Sequence, residues 1–147
     1  MGNPMKTPDV TLVLVEDDDI DAESVQRALR RASIGNPLVR ARAGIEALEL
    51  LRGSEGRSAV PPPYLLLVDL RLPRMDGLEL IRTIRADAQL SRTVIFVLTT
   101  SDREKDKLQA YDANIAGYIV KGDTGADFQQ LMQLLEYYLL IVSPVQT

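Results

Sequence analysis

Four apolar runs in this chain end in side chains suited to phosphoryl chemistry. Tyr64-Leu-Leu-Leu-Val68 is closed by Asp69, and Val10-Thr-Leu-Val-Leu-Val15 by Glu16 and Asp17. Val94-Ile-Phe-Val-Leu98 is closed by Thr99, and Ala116-Gly-Tyr-Ile-Val120 by Lys121. Buried strands of open α/β sheets form their ligand crevice at such carboxyl ends. Bringing Glu16 and Asp17 close to Asp69 costs repulsion of about 4 kcal/mol per pair at 4 Å in a medium of dielectric 20. A bound divalent cation would relieve it. A carboxylate can also attack phosphorus when a cation neutralises the incoming charge. The Thr99 hydroxyl and the Lys121 ammonium can each grip a phosphoryl oxygen, and Lys121 can also pair with Asp69. Taken singly, Thr99 is an ordinary strand residue and Lys121 a solvated strand end. Their arrival together at successive strand ends is what favours the chemistry. Asp18, Asp19 and Asp21 read instead as acids that cap a helix start and favour its dipole.

The elements that must position these groups alternate along the chain. The first run leads to a helix with Val25, Ala28, Leu29 and Ala32 at core spacing, stopped by Gly35-Asn-Pro37. A short strand, Leu38–Arg42, precedes a helix with Ala47, Leu48 and Leu51. Residues 53–63 form a surface loop by their Gly, Ser and Pro content. Asp76 with Glu79 predicts a capping pair for the helix after Asp69, and Ser101 with Glu104 predicts a second. The next helix is polar, with Leu108, Tyr111 and Ile115 as a thin apolar face, and a long last helix is predicted from about residue 123 to beyond Tyr138. Alternating strands and helices imply an α/β fold: a doubly wound five-stranded parallel sheet, strand order 2-1-3-4-5, flavodoxin-like. One domain is expected over residues 9–142, with short tails at 1–8 and 143–147.

Composition narrows the chemistry. The 147 residues include no cysteine and no histidine. Thiolate sites, imidazole triads and the usual transition-metal sites are therefore excluded, and any histidine in the reaction must come from a partner. The carboxylates suit a hard cation such as magnesium. A net charge of -4 argues against nucleic acid as a partner. No apolar window is long enough for a membrane span, and the amino terminus lacks the apolar stretch of a signal peptide. A cytosolic protein is expected.

Four segments carry a resemblance. They are Val15-Glu16-Asp17-Asp18, Leu66-Leu-Val-Asp69-Leu-Arg71-Leu-Pro73-Arg-Met-Asp76-Gly77, Val97-Leu-Thr99-Thr-Ser101 and Gly117-Tyr118-Ile-Val-Lys121. The chain resembles the response-regulator receiver domains of two-component signalling, with their CheY-like fold. The resemblance implies that Asp69 accepts phosphate from a histidine kinase. It implies magnesium held by Asp17, Asp69 and the main-chain carbonyl of Arg71, with Glu16 acting directly or through water. Thr99 and Lys121 would contact the phosphoryl group, and Tyr118 would be the rotating aromatic switch, a role compatible with its reading as a strand residue half packed on the fourth helix. Lys121-Gly122 departs from the usual Lys-Pro. Arg71 and Ser101 would flank the phosphate pocket. The Lys-Gly variant, the extended loop before the third strand and the apolar tail are similar to small receivers paired with bacterial phytochrome kinases.

The last helix speaks to partners. Phe128, Leu131, Met132, Leu135, Tyr138 and Leu139 form a core stripe, while Leu134, Tyr137 and Ile141 form a second apolar stripe. That second stripe predicts a homodimer through this helix; the other reading is a tail folded over its own sheet edge. Arg27, Arg30 and Arg31 either dock a kinase or are solvated helix charges. With nothing left for an output domain, a phosphorylatable switch signalling by protein contacts is the leading function, and not a turnover enzyme. A dehalogenase-type phosphatase would need an acid two residues past the nucleophile, where this chain has Arg71. A degenerate receiver used as a scaffold would have no need of the set Asp17, Asp69, Thr99 and Lys121.

Overall fold

The computed structural model describes residues 10–121 and residues 132, 133, 135 and 136. Five strands alternate with four helices: β1 (Thr11–Val15), α1 (Asp19–Arg31), β2 (Leu38–Ala41), α2 (Gly44–Arg52), β3 (Tyr64–Val68), α3 (Gly77–Ala86), β4 (Val94–Thr99), α4 (Glu104–Asp112) and β5 (Gly117–Val120). The strands form one parallel sheet ordered β2-β1-β3-β4-β5, as the sequence predicts. Residues 132, 133, 135 and 136 are helical, within the span expected for the last helix. The expected dimer stripe of Leu134, Tyr137 and Ile141 lies outside the described residues. So do Gly122 and both tails.

The central strands are apolar throughout because both sheet faces are covered. Side chains alternate across a strand, and the core divides accordingly. Val13, Val15, Leu66, Val68, Ile95 and Val97 face one way, packed with Ala47, Leu51, Leu80, Ile81 and Ile84 of α2 and α3. Leu12, Leu14, Leu65, Leu67, Phe96 and Leu98 face the other way, packed with Ala22, Val25 and Leu29 of α1 and with Met132 and Leu135.

Helix starts follow the local sequence. The Asp18 side chain caps α1 by accepting from the N–H groups of Ile20 and Asp21, at 2.8 and 3.0 Å. Asp76 caps α3 by accepting from Glu79 N–H at 2.9 Å. The second capping pair is not formed. α4 begins at Glu104, so its cap position falls on Arg103, two residues past Ser101, and the Ser101 hydroxyl bonds to the Asp106 carboxylate instead. The apolar face expected for α4 is also corrected. Leu108 and Tyr111 are 63% and 51% exposed, and Ala110 is the residue that packs inward. With Ala110 turned inward, the step of 100° per residue places Leu108 on the opposite face of the helix and Tyr111 on its flank. Ile115 is buried, but beyond the helix end.

Gly77 closes the turn that carries Asp69. Its N–H donates to the Leu70 carbonyl at 3.0 Å, and an added Cβ would lie 2.3 Å from the Asp69 carbonyl oxygen and 2.6 Å from Leu70 Cα. Backbone atoms cannot swing aside as a side chain does. Gly77→Ala is expected to lower the unfolding free energy by about 2–3 kcal/mol in urea denaturation. A loss no larger than that of an exposed helix substitution would show that the turn can yield.

Candidate functional site at the strand ends

Continuing the alternation past each strand end sorts the polar residues. Glu16, Asp69 and Lys121 fall on the α1 side of the sheet, with Leu14, Leu67 and Ile119. Thr99 and Tyr118 fall on the α3 side, with Val97. The hydrogen bonds agree. Lys121 Nζ donates to Glu16 Oε1 at 2.5 Å, to Asp69 Oδ2 at 3.0 Å and to Asp21 Oδ2 at 3.0 Å. Its side chain is only 6% exposed, and its backbone N–H is tied to the Thr99 carbonyl at 2.7 Å.

The remaining oxygens are held too. The second Glu16 oxygen accepts from Asp18 N–H at 3.3 Å, and Asp69 Oδ1 accepts from Arg71 N–H at 2.9 Å. Arg40 of β2 pins the same loop from below, donating to the Glu16 carbonyl at 2.9 Å and to Asp19 at 2.7 Å. Glu16, Asp17 and Asp69 each offer a carboxylate oxygen, all within 4.8 Å of one another. Oxygen ligands this close, with neither histidine nor cysteine in the chain, fit a hard divalent cation.

Charge is concentrated here. Burial pushes the Glu16 carboxyl up from 4.5 to about 7; the Lys121 hydrogen bond opposes that rise and the charge of Asp69 adds to it. Burial works against the Lys121 ammonium, yet its hydrogen bond to Glu16 and the charge of Asp69 hold it above the ordinary lysine value. On the other sheet face, Thr99 and Ser101 are buried, and the half-buried Tyr118 donates its hydroxyl to the Ser101 carbonyl at 2.8 Å. Burial raises the Tyr118 phenol.

Every expected site residue within the described segment therefore gathers at one end of the sheet. Asp17 stands exposed at the rim, and Arg71 is exposed beyond Asp69. One participant has a different local reading. Asp21 reads locally as a helix-start acid, but it reaches the buried Lys121. No local signal marks it: the packing of α1 across the face toward which Lys121 points brings the two together. Arg27, by contrast, is an exposed residue paired with Glu23 on its own helix.

A family model described as "Response regulator receiver domain" matches residues 12–136. The chain belongs to that family. Response regulator Rcp1 of Synechocystis is 32% identical over 133 residues, covering 90% of both chains. FilR2 of Methanothrix harundinacea, a probable methanogenesis regulatory protein, is 33% identical over 131 residues, covering 88% of this chain and 83% of that one. The crystal structure of the Mn(2+)-bound form of Rcp1 superposes with a TM-score of 0.81 at 31% identity, covering 93% of this chain and 99% of that one. Response regulator RPA3017, in red light signaling of R. palustris, gives a TM-score of 0.83 at 28% identity, covering 94% and 99%. This receiver is thus a response regulator related to those of phytochromes, with an acidic divalent-metal site.

The raised Glu16 carboxyl makes this metal site sensitive to pH. Between pH 4.5 and about 7 the folded chain binds a proton at Glu16 that the unfolded chain releases, so the Glu16 contribution to stability falls as pH rises through that window. Cation binding runs the opposite way, because protons compete for the ligand. Magnesium affinity by calorimetric titration is expected to drop about ten-fold from pH 8 to pH 6. A flat profile would remove Glu16 from the site.

Proposed function

We propose that this receiver is a phosphorylatable switch in which Asp69 accepts a phosphoryl group from the phosphohistidine of a histidine kinase. The observation that carries this reading is the meeting of Asp69 with the Lys121 ammonium at 3.0 Å, inside the carboxylate set of Glu16, Asp17 and Asp69. Asp17, Asp69 and the main-chain carbonyl of Arg71 would hold magnesium, with Glu16 acting directly or through water. The cation, when bound, neutralises charge at the phosphoryl oxygens. An Asp69 carboxylate oxygen attacks phosphorus, the P–N bond to the kinase imidazole breaks, and its electron pair leaves with the ring nitrogen. Lys121 and the Thr99 hydroxyl each hold a phosphoryl oxygen. Tyr118 is the switch. Its hydroxyl bonds to the carbonyl of Ser101, two residues past Thr99, so a shift of Thr99 toward the phosphoryl group is passed to the Tyr118 ring.

The cyanobacterial phytochrome response regulator RcpA, known in its phosphorylated form, and the bacteriophytochrome response regulator AtBRR are among the similar structures. They favour a bacteriophytochrome kinase as the partner. The chain acts as a phosphoacceptor, not a turnover enzyme. A cytosolic location fits the described residues, none of whose helices is long and apolar enough to cross a membrane, and no part for nucleic acid or lipid is assigned. The apolar stripe of Leu134, Tyr137 and Ile141 supports a homodimer through the last helix. Leu134→Glu with Ile141→Glu is expected to convert the dimer to monomer in light scattering; an unchanged mass would move the interface elsewhere.

Intact-protein mass after incubation with acetyl phosphate and magnesium tests the central claim. The wild type should gain one phosphoryl group and Asp69→Asn none. No gain in either would favour the scaffold reading.

A further inference from the structure

Resting on the phosphoryl-acceptor reading, we infer that Asp21 is a positioning residue that aims the Lys121 ammonium at the phosphoryl site. A lysine ammonium carries three N–H donors. Here three carboxylates from three separate segments reach Nζ: Glu16 after β1, Asp21 in the first turn of α1, and Asp69 after β3. The match is one acceptor for each donor.

The three acceptors are not equivalent. Glu16 and Asp69 belong to the carboxylate set that can hold the cation, whereas Asp21 is outside it. Asp21 is also the most accessible of the three, with a side chain 40% exposed against 2% and 9%. Its backbone is nevertheless fixed, because the Asp18 cap accepts its N–H at 3.0 Å. Asp21 is thus a rigidly mounted carboxylate whose partner in the site is the ammonium.

The consequence follows from donor counting. When phosphorus bonds to Asp69, a phosphoryl oxygen replaces the carboxylate as the third acceptor. Glu16 and Asp21 keep the other two donors, so the remaining N–H points at the incoming group without reorganisation. Without Asp21 the ammonium collapses onto Glu16 and Asp69. There it competes with the cation for Glu16 and no longer has a fixed direction.

The test compares wild type, Asp21→Asn, Asp21→Glu and Glu23→Gln. Glu23 lies on the same helix, and its replacement removes one negative charge without touching Lys121; its ion pair is with Arg27. The first readout is the rate of phosphoryl gain by intact mass, with acetyl phosphate at saturating magnesium. The second is the Lys121 ammonium signal in ¹H–¹⁵N NMR, which hydrogen bonding protects from exchange with water. Asp21→Asn is expected to slow labelling roughly three- to ten-fold and to weaken the ammonium signal. Asp21→Glu should restore most of both, and Glu23→Gln should match wild type. Labelling of Asp21→Asn at the wild-type rate, or equal slowing by Glu23→Gln, would overturn the inference, the latter by showing a general charge effect. Failure of the wild type itself to label would instead sink the acceptor reading. An ammonium signal unchanged in Asp21→Asn would then refute the role of Asp21 separately.

Discussion

Lys121 Nζ meets carboxylates that follow β1, lie in α1 and follow β3, all within 3.0 Å, while almost wholly buried, and the functional end of the sheet depends on that contact. Carboxylates crowded at the ends of buried strands repel one another. The ammonium offsets part of that repulsion but not all of it. Glu16, Asp17, Asp21 and Asp69 are four carboxylates against one amine, and burial, with the charge of Asp69 added to it, raises the Glu16 carboxyl in spite of the Lys121 hydrogen bond. A divalent cation completes the neutralisation, so the end of the sheet is built with a deficit of positive charge that a ligand must supply.

The sheet divides this end into two compartments. On the α1 side lie the charges: Glu16, Asp69, Lys121 and Asp21. On the α3 side lie Thr99, Ser101 and Tyr118, joined by neutral hydrogen bonds that lead outward to α4 through the contact between Ser101 and Asp106. These contacts link the strand ends to the surface of the molecule. There α4 presents Leu108 and Tyr111 to solvent. The exposed apolar side chains on α4 make that surface suitable for a protein contact.

The opposite end of the molecule is built to stay put. The Arg85 guanidinium donates to four backbone carbonyls, those of Ser91, Thr93, Ala113 and Asn114, at 2.7 to 2.8 Å. One side chain thus binds α3 to the loops that lead into β4 and β5. Its hydrogen bonds run to neutral carbonyls with no carboxylate in the set, and burial lowers its pKa. With those loops anchored, rearrangement is left to the carboxyl ends of the strands.

Apolar runs and helical spacing were enough to establish the five strands, because both are local patterns repeated along the chain, and the strand order 2-1-3-4-5 followed from the doubly wound fold that their alternation implies. The same runs showed where Glu16, Asp17, Asp69, Thr99 and Lys121 must sit, since a strand's end is visible in the sequence. Local rules also identified the caps Asp18 and Asp76, whose partners are two or three residues away. They failed where the partner is distant or where the helix begins late. Ser101 matched a capping box, but α4 starts at Glu104, so its hydroxyl serves Asp106. Leu108 and Tyr111 had the right spacing for a core face, yet Ala110 is the residue that packs inward and they face solvent. Asp21 looked like a helix-start acid, and only the packing of α1 across the sheet brought it to an ammonium 100 residues away. The sequence by itself determined which groups stand at the strand ends. Tertiary structure alone decided which of them touch, because a hydrogen bond is set within a few tenths of an ångström by the stacking of whole elements.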